Sequence, residues 1–361
     1  MEKKLIEIDA KIFKITKLVE NVFLDSINPI NSERQRKLFF SQLANHQMYA
    51  PCFEYNIINA FEKEKDQLKI AKKEVTNSLA GKILSTRIDS LLSEIELLEN
   101  INSKNFCRSS KAHYGEPKSE ELKKAKEALN SKTLTAKKIV KPEELQEQLT
   151  PRVKPTGFSV KLKENMSAKA AVNLSKQEIS LNKNSLFTPL DLERLYVHEV
   201  ETHIYRYLNG LTQPLQTLSL GCGGTFLKTE EGLALYNEKT SGVSSKAQEK
   251  VFAGRLYAVD FALRHDFFET FDELRNYFDE EDSYSITQRV KRGVPNGMKG
   301  AFTKDHCYYS GILELEQYAN SGKPICDLYY GKISSKEAGI VKQIKGLVEP
   351  KFIPSYLKQK N

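Results

Sequence analysis

Hydrophobic residues recur at helical spacing through the first 130 residues of the chain. Apolar positions three and four residues apart predict an amphipathic first helix, followed by helices at 31–48, 56–75, 78–98 and 120–129. No stretch in this portion alternates between apolar and polar residues as a half-buried strand would. We therefore expect an N-terminal helical region over residues 1–130.

The pattern changes twice further along the chain. Residues 131–156 are polar and predict a connecting segment. Short alternating runs then predict a small antiparallel sheet, with strands at 158–162, 170–174 and 178–181. Helical spacing returns afterwards and predicts helices at 246–265, 267–278, 283–292, 305–319 and 335–348. The sequence thus predicts a helix-rich α+β fold with a catalytic region at 157–361, although both regions could form one continuous domain.

A buried helix is expected directly after the sheet. Thr188 is a suitable N-cap, Pro189 suits the first helical position, and Gly210 marks the end. The apolar residues between them lie nearly all around the helix, which is typical of a central, buried helix. Thr229 is predicted to cap the next helix, placing Glu231 in its first turn, where the helix dipole favours a carboxylate.

These two helices carry the residues of a hydrolytic zinc site. His198, Glu199 and His203 lie on the buried helix, and Glu231 opens the next one. Two histidines and a glutamate are a common ligand set for catalytic zinc, which leaves a position for water. We therefore predict that His198, His203 and Glu231 bind Zn²⁺ and that Glu199 is the general base.

The spacing of the histidines requires a distorted helix. Residues five apart lie roughly 140° around a regular α-helix, too far apart to share one metal ion. A π-type turn would bring His198 and His203 to nearly the same face, and such turns concentrate at functional sites. We therefore predict a local irregularity between Glu199 and His203.

A His-Glu pair followed by a second histidine can also arise by chance. The chain has six histidines, yet two of them share this helix with a glutamate between them. Burying Glu199 and Glu201 without partners would be costly, and a cation would compensate at least one of them. Both observations favour the metal site.

The segment His198–His203, with Asn209-Gly210, Gln213-Pro214 and Glu230–Ala234, resembles a known family. These residues are similar to the bacterial QEGLA-motif proteins, named for a proposed role in modulating flavohaemoglobin expression, and to the animal microtubule-associated tyrosine carboxypeptidases. The resemblance continues downstream at 289–293 and 302–305, is weaker upstream at 114–117 and 166–168, and covers roughly residues 75–320. Glu230 replaces the glutamine of the bacterial motif. Glu201 replaces a glycine of the animal enzymes and could alter the charge of the pocket or face a basic partner.

The resemblance implies the same three zinc ligands, the same base and metal-assisted peptide hydrolysis. A carboxypeptidase must also bind a terminal carboxylate, and Arg289 and Arg292 are the candidates, with Lys304 third. Both arginines could instead satisfy the end of a helix. Tyr308 could donate a hydrogen bond to the oxyanion of the tetrahedral intermediate. The edge strand near Met166-Ser167-Ala168 could hold the substrate backbone, or simply pack.

Two functions are consistent with these residues. The first is a zinc carboxypeptidase that removes a C-terminal residue, tyrosine or another aromatic, from a protein or peptide. The second is a metal-binding regulatory protein that affects gene expression without peptidase activity. Glu199 favours the enzyme, because a structural zinc site needs no base.

Composition adds limits on partners and location. The net charge is +8, but lysines are dispersed among glutamates, so no nucleic-acid partner is expected. The five cysteines form no CxxC pair, which predicts a reducing compartment. No signal-like segment and no run of 18 apolar residues occurs in the sequence, so we expect a cytoplasmic protein without a membrane partner, unless a secretion system that cleaves no signal exports it. The sequence does not indicate the oligomeric state.

Overall fold

Helices dominate the described part of the protein, which also contains one small sheet. The computed structural model describes residues 2–57, 61–131, 139–164, 166, 168–221 and 226–358. The three strands found there form a single sheet, so the helix-rich α+β prediction is confirmed. Among these residues, no helix combines the length and the apolar character needed to cross a bilayer.

The N-terminal region is helical, as predicted. Its helices are α1 (Lys3–Ile27), α2 (Ser32–Ala44), α3 (Glu62–Glu74), α4 (Leu79–Glu99), α5 (Phe106–Tyr114) and α6 (Ser119–Leu129). Buried side chains of α1 and α4, such as Ile12 and Ile88, belong to the same apolar cluster as Tyr329 and Val341 near the C-terminus. The N-terminal helices therefore share a core with the end of the chain. The division at residues 131–156 stays a prediction.

The sheet is mixed. Residues 132–138 of the predicted connection lie outside the described part, and α7 (Pro142–Val153) follows. The strands β1 (Ser159–Lys163), β2 (Ala170–Asn173) and β3 (Glu178–Asn182) pair in the order β1-β3-β2. β2 and β3 are antiparallel, but β1 pairs with β3 in parallel, so the prediction of an antiparallel sheet is wrong for this pair. The chain reverses twice between β1 and β3, which returns β3 to the direction of β1.

The buried helix after the sheet consists of three segments, and we call residues 189–211 the central helix. They are α8 (Pro189–Leu195), a π-helical segment (Tyr196–Ile204) and α9 (Tyr205–Leu211). The carboxylate of Asp191 accepts hydrogen bonds from the backbone N–H and the hydroxyl of Thr188, 2.7 and 3.1 Å away. The predicted capping arrangement is confirmed.

The next helix, α10 (Phe226–Thr240), begins before Thr229. The prediction that Thr229 caps it is wrong, because the Thr229 hydroxyl instead accepts the backbone N–H of Ser335 at 2.9 Å. Glu231 lies in the second turn, so its position is fixed by helix packing rather than by the helix terminus.

The remaining helices are α11 (Lys246–Ala262), α12 (Phe267–Leu274), α13 (Glu280–Lys291), α14 (His306–Asn320), α15 (Ala338–Val341) and α16 (Ser355–Lys358). The first four confirm the predicted helices with shifted ends. The expected helix at 335–348 is wrong over most of its length, since only α15 forms there.

Two glycines allow α10 and α14 to cross in direct backbone contact. A Cβ atom added to Gly232 would lie 2.2 Å from the carbonyl carbon of Gly311, and one added to Gly311 would lie 2.2 Å from the carbonyl oxygen of Lys228. Because α10 carries Glu231 and α14 carries Tyr308, this close crossing sets the relative positions of two predicted site residues.

We predict that Gly311→Ala lowers the free energy of unfolding by roughly 1–3 kcal/mol, because the added methyl group forces two backbones apart. Urea denaturation measures the change. Gly339→Ala is the matched control, since nothing lies within 4 Å of its added Cβ. That control should be neutral or stabilising, by up to about 1 kcal/mol. Equal effects of the two substitutions would contradict the packing argument.

Candidate metal centre and active site

The π-helical segment places two histidines side by side. The ring centroids of His198 and His203 are 4.9 Å apart, with an interplanar angle of 82°. The N–H of Tyr205 donates to the carbonyl of Val200, five residues earlier. The hydroxyl of Thr202 donates to the carbonyl oxygen of Val197 at 2.9 Å. The predicted irregularity is confirmed, and it is longer than expected.

Both histidines present the same ring nitrogen to one carboxylate. The Nε2 atoms of His198 and His203 each lie 3.8 Å from Oε2 of Glu231. One ligand atom from each of His198, Glu199 and His203 lies within 4.8 Å of the others, and all three residues are buried. This group could hold a metal ion. The fold thus brings together the four residues that the sequence singled out for metal chemistry.

The other ring nitrogen of each histidine contacts a second carboxylate. Nδ1 of His198 lies 2.6 Å from Glu238, and Nδ1 of His203 lies 2.7 Å from Glu230. Carboxylates at this position fix the tautomer and orientation of metal-binding histidines. Sequence analysis did not identify Glu238, although it lies seven residues beyond Glu231, two turns along the same helix.

Glu230 is surrounded by cations. Its carboxylate accepts a hydrogen bond from Arg206 and lies 2.7 Å from Nζ of Lys332. Burial alone would raise the pKa of Glu230, but Lys332, Arg206 and His203 together hold it well below its usual range. Glu230 is therefore a charged anchor for His203.

Glu201 does not take part in this network. Its carboxylate accepts hydrogen bonds from the backbone N–H and the hydroxyl of Ser355, 3.2 and 2.5 Å away. Glu201 thus places a hydrogen-bond acceptor for the C-terminal segment on the central helix. It provides no contact to the histidine pair.

Protons and a cation would compete for His198. Burial lowers the pKa of this imidazole, but the hydrogen bond to Glu238 and the charges of Glu199 and Glu231 outweigh burial. Together they raise its pKa to about 9 in the protein without a bound cation. The surroundings of His198 therefore favour positive charge at this point.

The histidine pair lies in a cleft of about 1900 Å³. Its walls also include the predicted substrate residues Arg289, Arg292, Lys304 and Tyr308. Arg289 already makes two hydrogen bonds to Asp305, from Nε at 2.5 Å and from Nη2 at 3.0 Å. The bidentate edge of the Arg289 guanidinium group is therefore already paired with Asp305.

Other cations of the cleft are less fully paired. Nη1 of Arg292 donates to Oδ1 of Asn28 at 2.7 Å. The ammonium group of Lys304 has no hydrogen bond or ion pair with any described residue, and its Nζ lies 6.0 Å from the ring centroid of Phe23. Arg255, which sequence analysis missed, has a buried Nε without a partner among the described residues.

The ring of Tyr308 makes a stacking contact and a cation–π contact. Its ring stacks on Phe252 with centroids 5.3 Å apart, and the guanidinium of Arg255 lies 5.6 Å from its centroid. Burial and the nearby charge of Glu231 raise the pKa of Tyr308 above its usual range. Its hydroxyl therefore stays protonated and able to donate.

The edge strand of the sheet also borders the cleft. Residues 170–173 of β2 line it, with Met166 and Ala168 before them; Ser167 lies outside the described residues. β2 pairs with β3 on one side only. Its second edge is not paired with any described strand.

Comparison with known proteins identifies the family of this chain. A family model described as "Microtubule-associated tyrosine carboxypeptidase" matches residues 38–361. The human protein named "Putative tyrosine carboxypeptidase MATCAP2" is 30% identical over 176 residues, and its mouse counterpart is 28% identical over 173. Each alignment covers 46% of this chain and 32% of the relative, so the match spans about a third of the length of each relative. The chain belongs to the microtubule-associated tyrosine carboxypeptidase family.

We predict a pH-dependent loss of stability in Asp305→Asn. Burial alone would raise the pKa of Asp305, but Arg289 and Arg255 hold it below the ordinary value of 3.8. The charged form therefore contributes stability that is complete above pH 3.8 and is lost as the pH falls through the folded-state pKa. At neutral pH the free energy of unfolding of the variant should be lower by about 3–5 kcal/mol, because the largely buried Arg289 is left without its partner.

Urea denaturation between about pH 7 and pH 3 tests this prediction. The difference in free energy of unfolding between wild type and variant should become smaller towards pH 3. Asp272→Asn is the control, since its 3.1 Å pair with Arg275 is exposed and should contribute little. A gap that stays constant with pH would contradict the assignment.

Proposed function

We propose that the protein is a zinc-dependent carboxypeptidase that removes a C-terminal residue, tyrosine or another aromatic, from a protein or peptide. The observation that carries the proposal is the pair of Nε2 atoms facing Glu231, with Glu199 beside them, at the wall of a large cleft. Family membership supports the same reaction. Free cysteines such as Cys52 and Cys326 are consistent with action in the cytoplasm.

The donor set fits zinc. His198, His203 and Glu231 are the proposed ligands, since nitrogen and carboxylate oxygen in this number suit a catalytic zinc site. When bound there, zinc would polarise the scissile carbonyl and make water more acidic. Glu199 would accept the proton from the attacking water and pass it to the leaving amine.

The terminal carboxylate needs a cation with hydrogen-bonding capacity to spare. Arg289 is the weakest of the predicted candidates, because Asp305 occupies its fork. Lys304 is the strongest, since it lacks an ion pair and is close enough to Glu231 for that charge to affect its pKa. Arg255 and Arg292 complete the proposed cluster, and Tyr308 is the proposed donor to the oxyanion.

The substrate chain would enter along β2. An extended peptide can add to the unpaired edge of a strand by backbone hydrogen bonds. Such backbone pairing would orient the last residues of the substrate but would not distinguish between their side chains. Selection for the terminal residue must then come from the inner part of the cleft.

We predict that Glu199→Gln abolishes turnover while keeping metal, because the amide cannot accept the water proton. Wild type and variant are incubated with peptides that differ only in the last residue. Mass spectrometry then reports residue loss, and elemental analysis reports zinc. Glu201→Gln is the matched control, because its carboxylate contacts Ser355 rather than the histidines, and it should retain turnover.

Loss of the last residue with wild type and Glu201→Gln, but not with Glu199→Gln, would support the enzyme. Zinc in all three proteins without cleavage by any of them would favour the regulatory alternative. Cleavage by Glu199→Gln at the wild-type rate would exclude Glu199 as the base.

We also predict that Glu238→Gln weakens zinc binding by roughly 10- to 100-fold, because His198 loses a charged partner at Nδ1. Competition with a chromophoric chelator measures the affinity. Glu316→Gln is the control, since Glu316 pairs with Lys239 away from the histidines. Unchanged zinc affinity in Glu238→Gln would show that the carboxylate does not support a ligand.

A further inference from the structure

An arginine with two unpaired buried nitrogen atoms lies in the wall of the cleft. Arg87 on α4 is 1% exposed, and its Nε and Nη1 atoms have no partner among the described residues. The guanidinium carbon lies 5.8 Å from the ring centroid of Phe226, at the start of α10. Leaving such donors unpaired is costly. A polar group supplied by a ligand would remove that cost.

Two carboxyl groups accompany this arginine. Glu20 on α1 and Glu94 on α4 also line the cleft, and neither carboxyl group has a hydrogen bond or ion pair with a described residue. Burial raises the pKa of Glu20 to about 7, against the opposing effect of Arg87. Burial likewise raises the pKa of Glu94. We call Glu20, Arg87, Glu94 and Phe226 the inner chamber.

The inner chamber adjoins the proposed metal site. The charge of Glu231 raises the pKa of Lys304 against the effect of burial, and the charge of Lys304 lowers the pKa of Glu94 against the effect of burial. Lys304 therefore lies within electrostatic reach of both places. If Lys304 binds the terminal carboxylate of a peptide, the side chain of the peptide's last residue can extend into the inner chamber.

The chemistry of the chamber favours a neutral hydroxyl group. A carboxylate would pair with Arg87 but would meet Glu20 and Glu94 as like charges. A plain hydrocarbon would leave the donors of Arg87 unpaired. A phenol can accept from Arg87, donate to a carboxylate and place its ring against Phe226.

Resting on the carboxypeptidase function proposed above, we infer that the inner chamber receives the side chain of the terminal residue. Arg87 is then a specificity-determining residue that recognises a phenolic hydroxyl. A site that hydrogen-bonds a hydroxyl discriminates strongly against the analogue lacking it, because its own polar groups are left unpaired.

The test measures binding to zinc-loaded Glu199→Gln, which is independent of turnover. Three peptides identical except for a final tyrosine, phenylalanine or glutamate are titrated by calorimetry. The peptide ending in tyrosine should bind roughly 10- to 100-fold more tightly than the peptide ending in phenylalanine, and more tightly than the peptide ending in glutamate. Adding Arg87→Met should reduce the tyrosine-to-phenylalanine ratio towards one. Arg108→Met, at an exposed arginine of α5, should leave the ratio unchanged.

A second substitution serves if Arg87→Met does not fold. Glu94→Gln removes a repelling charge and should improve binding of the glutamate peptide several-fold relative to the tyrosine peptide. Equal ratios in Glu199→Gln with and without these changes would overturn the inference, as would failure of all three peptides to bind. Cleavage by wild type with ratios unaffected by Arg87 would leave the carboxypeptidase standing and remove only the chamber assignment.

Discussion

The π turn in the central helix is the constraint on which the candidate site depends. Histidines five residues apart share a face only because the backbone is wound more widely over Tyr196–Ile204. Side chains support this winding. Nδ2 of Asn237 donates to the hydroxyls of Thr202 and Tyr329, 2.8 and 2.7 Å away, and Tyr329 donates to the carbonyl of Glu201 at 3.0 Å. Residues from α10 and from the C-terminal part thus hold the turn that positions the histidines.

A buried ionic network extends from this turn into the rest of the fold. Arg206, fully buried one turn after His203, bonds Glu230 and donates from Nε to the carbonyls of Leu328 and Gly331, 3.0 and 3.1 Å away. Buried ions are costly unless each one is fully paired. The network therefore contributes little net stability for its size, but it fixes the rotamer of His203. The N-terminal helices share an apolar cluster with Leu233 of α10 and with Tyr329, so they help to position residues that support the turn.

Local signals predicted much of this arrangement. The i and i+5 spacing of His198 and His203 required a π turn, and the capping of the central helix was encoded by neighbouring residues. Failures occurred where tertiary partners decide. Thr229 has the chemistry of an N-cap, but Ser335, more than 100 residues later, takes its hydroxyl. Likewise, the sequence predicted that Arg289 could bind a substrate carboxylate, but in the fold its guanidinium group is paired with Asp305. Nothing in the sequence near Arg255 or Arg87 indicates that their buried nitrogen atoms lack partners.

The electrostatics of the cleft explain why unpaired cations can be useful there. Burial and neighbouring arginines lower the pKa of Arg255 and of Arg292 to about 10. Burial also lowers the pKa of Lys304, which Glu231 partly offsets. The protein thus keeps several cations in an unfavourable environment with Asp305 as a shared counterion. A carboxylate that entered the cleft would relieve this repulsion, and its interactions would be strong because the surroundings are poorly solvated. Under the proposed function, these cations would therefore favour binding of the negatively charged end of a peptide chain.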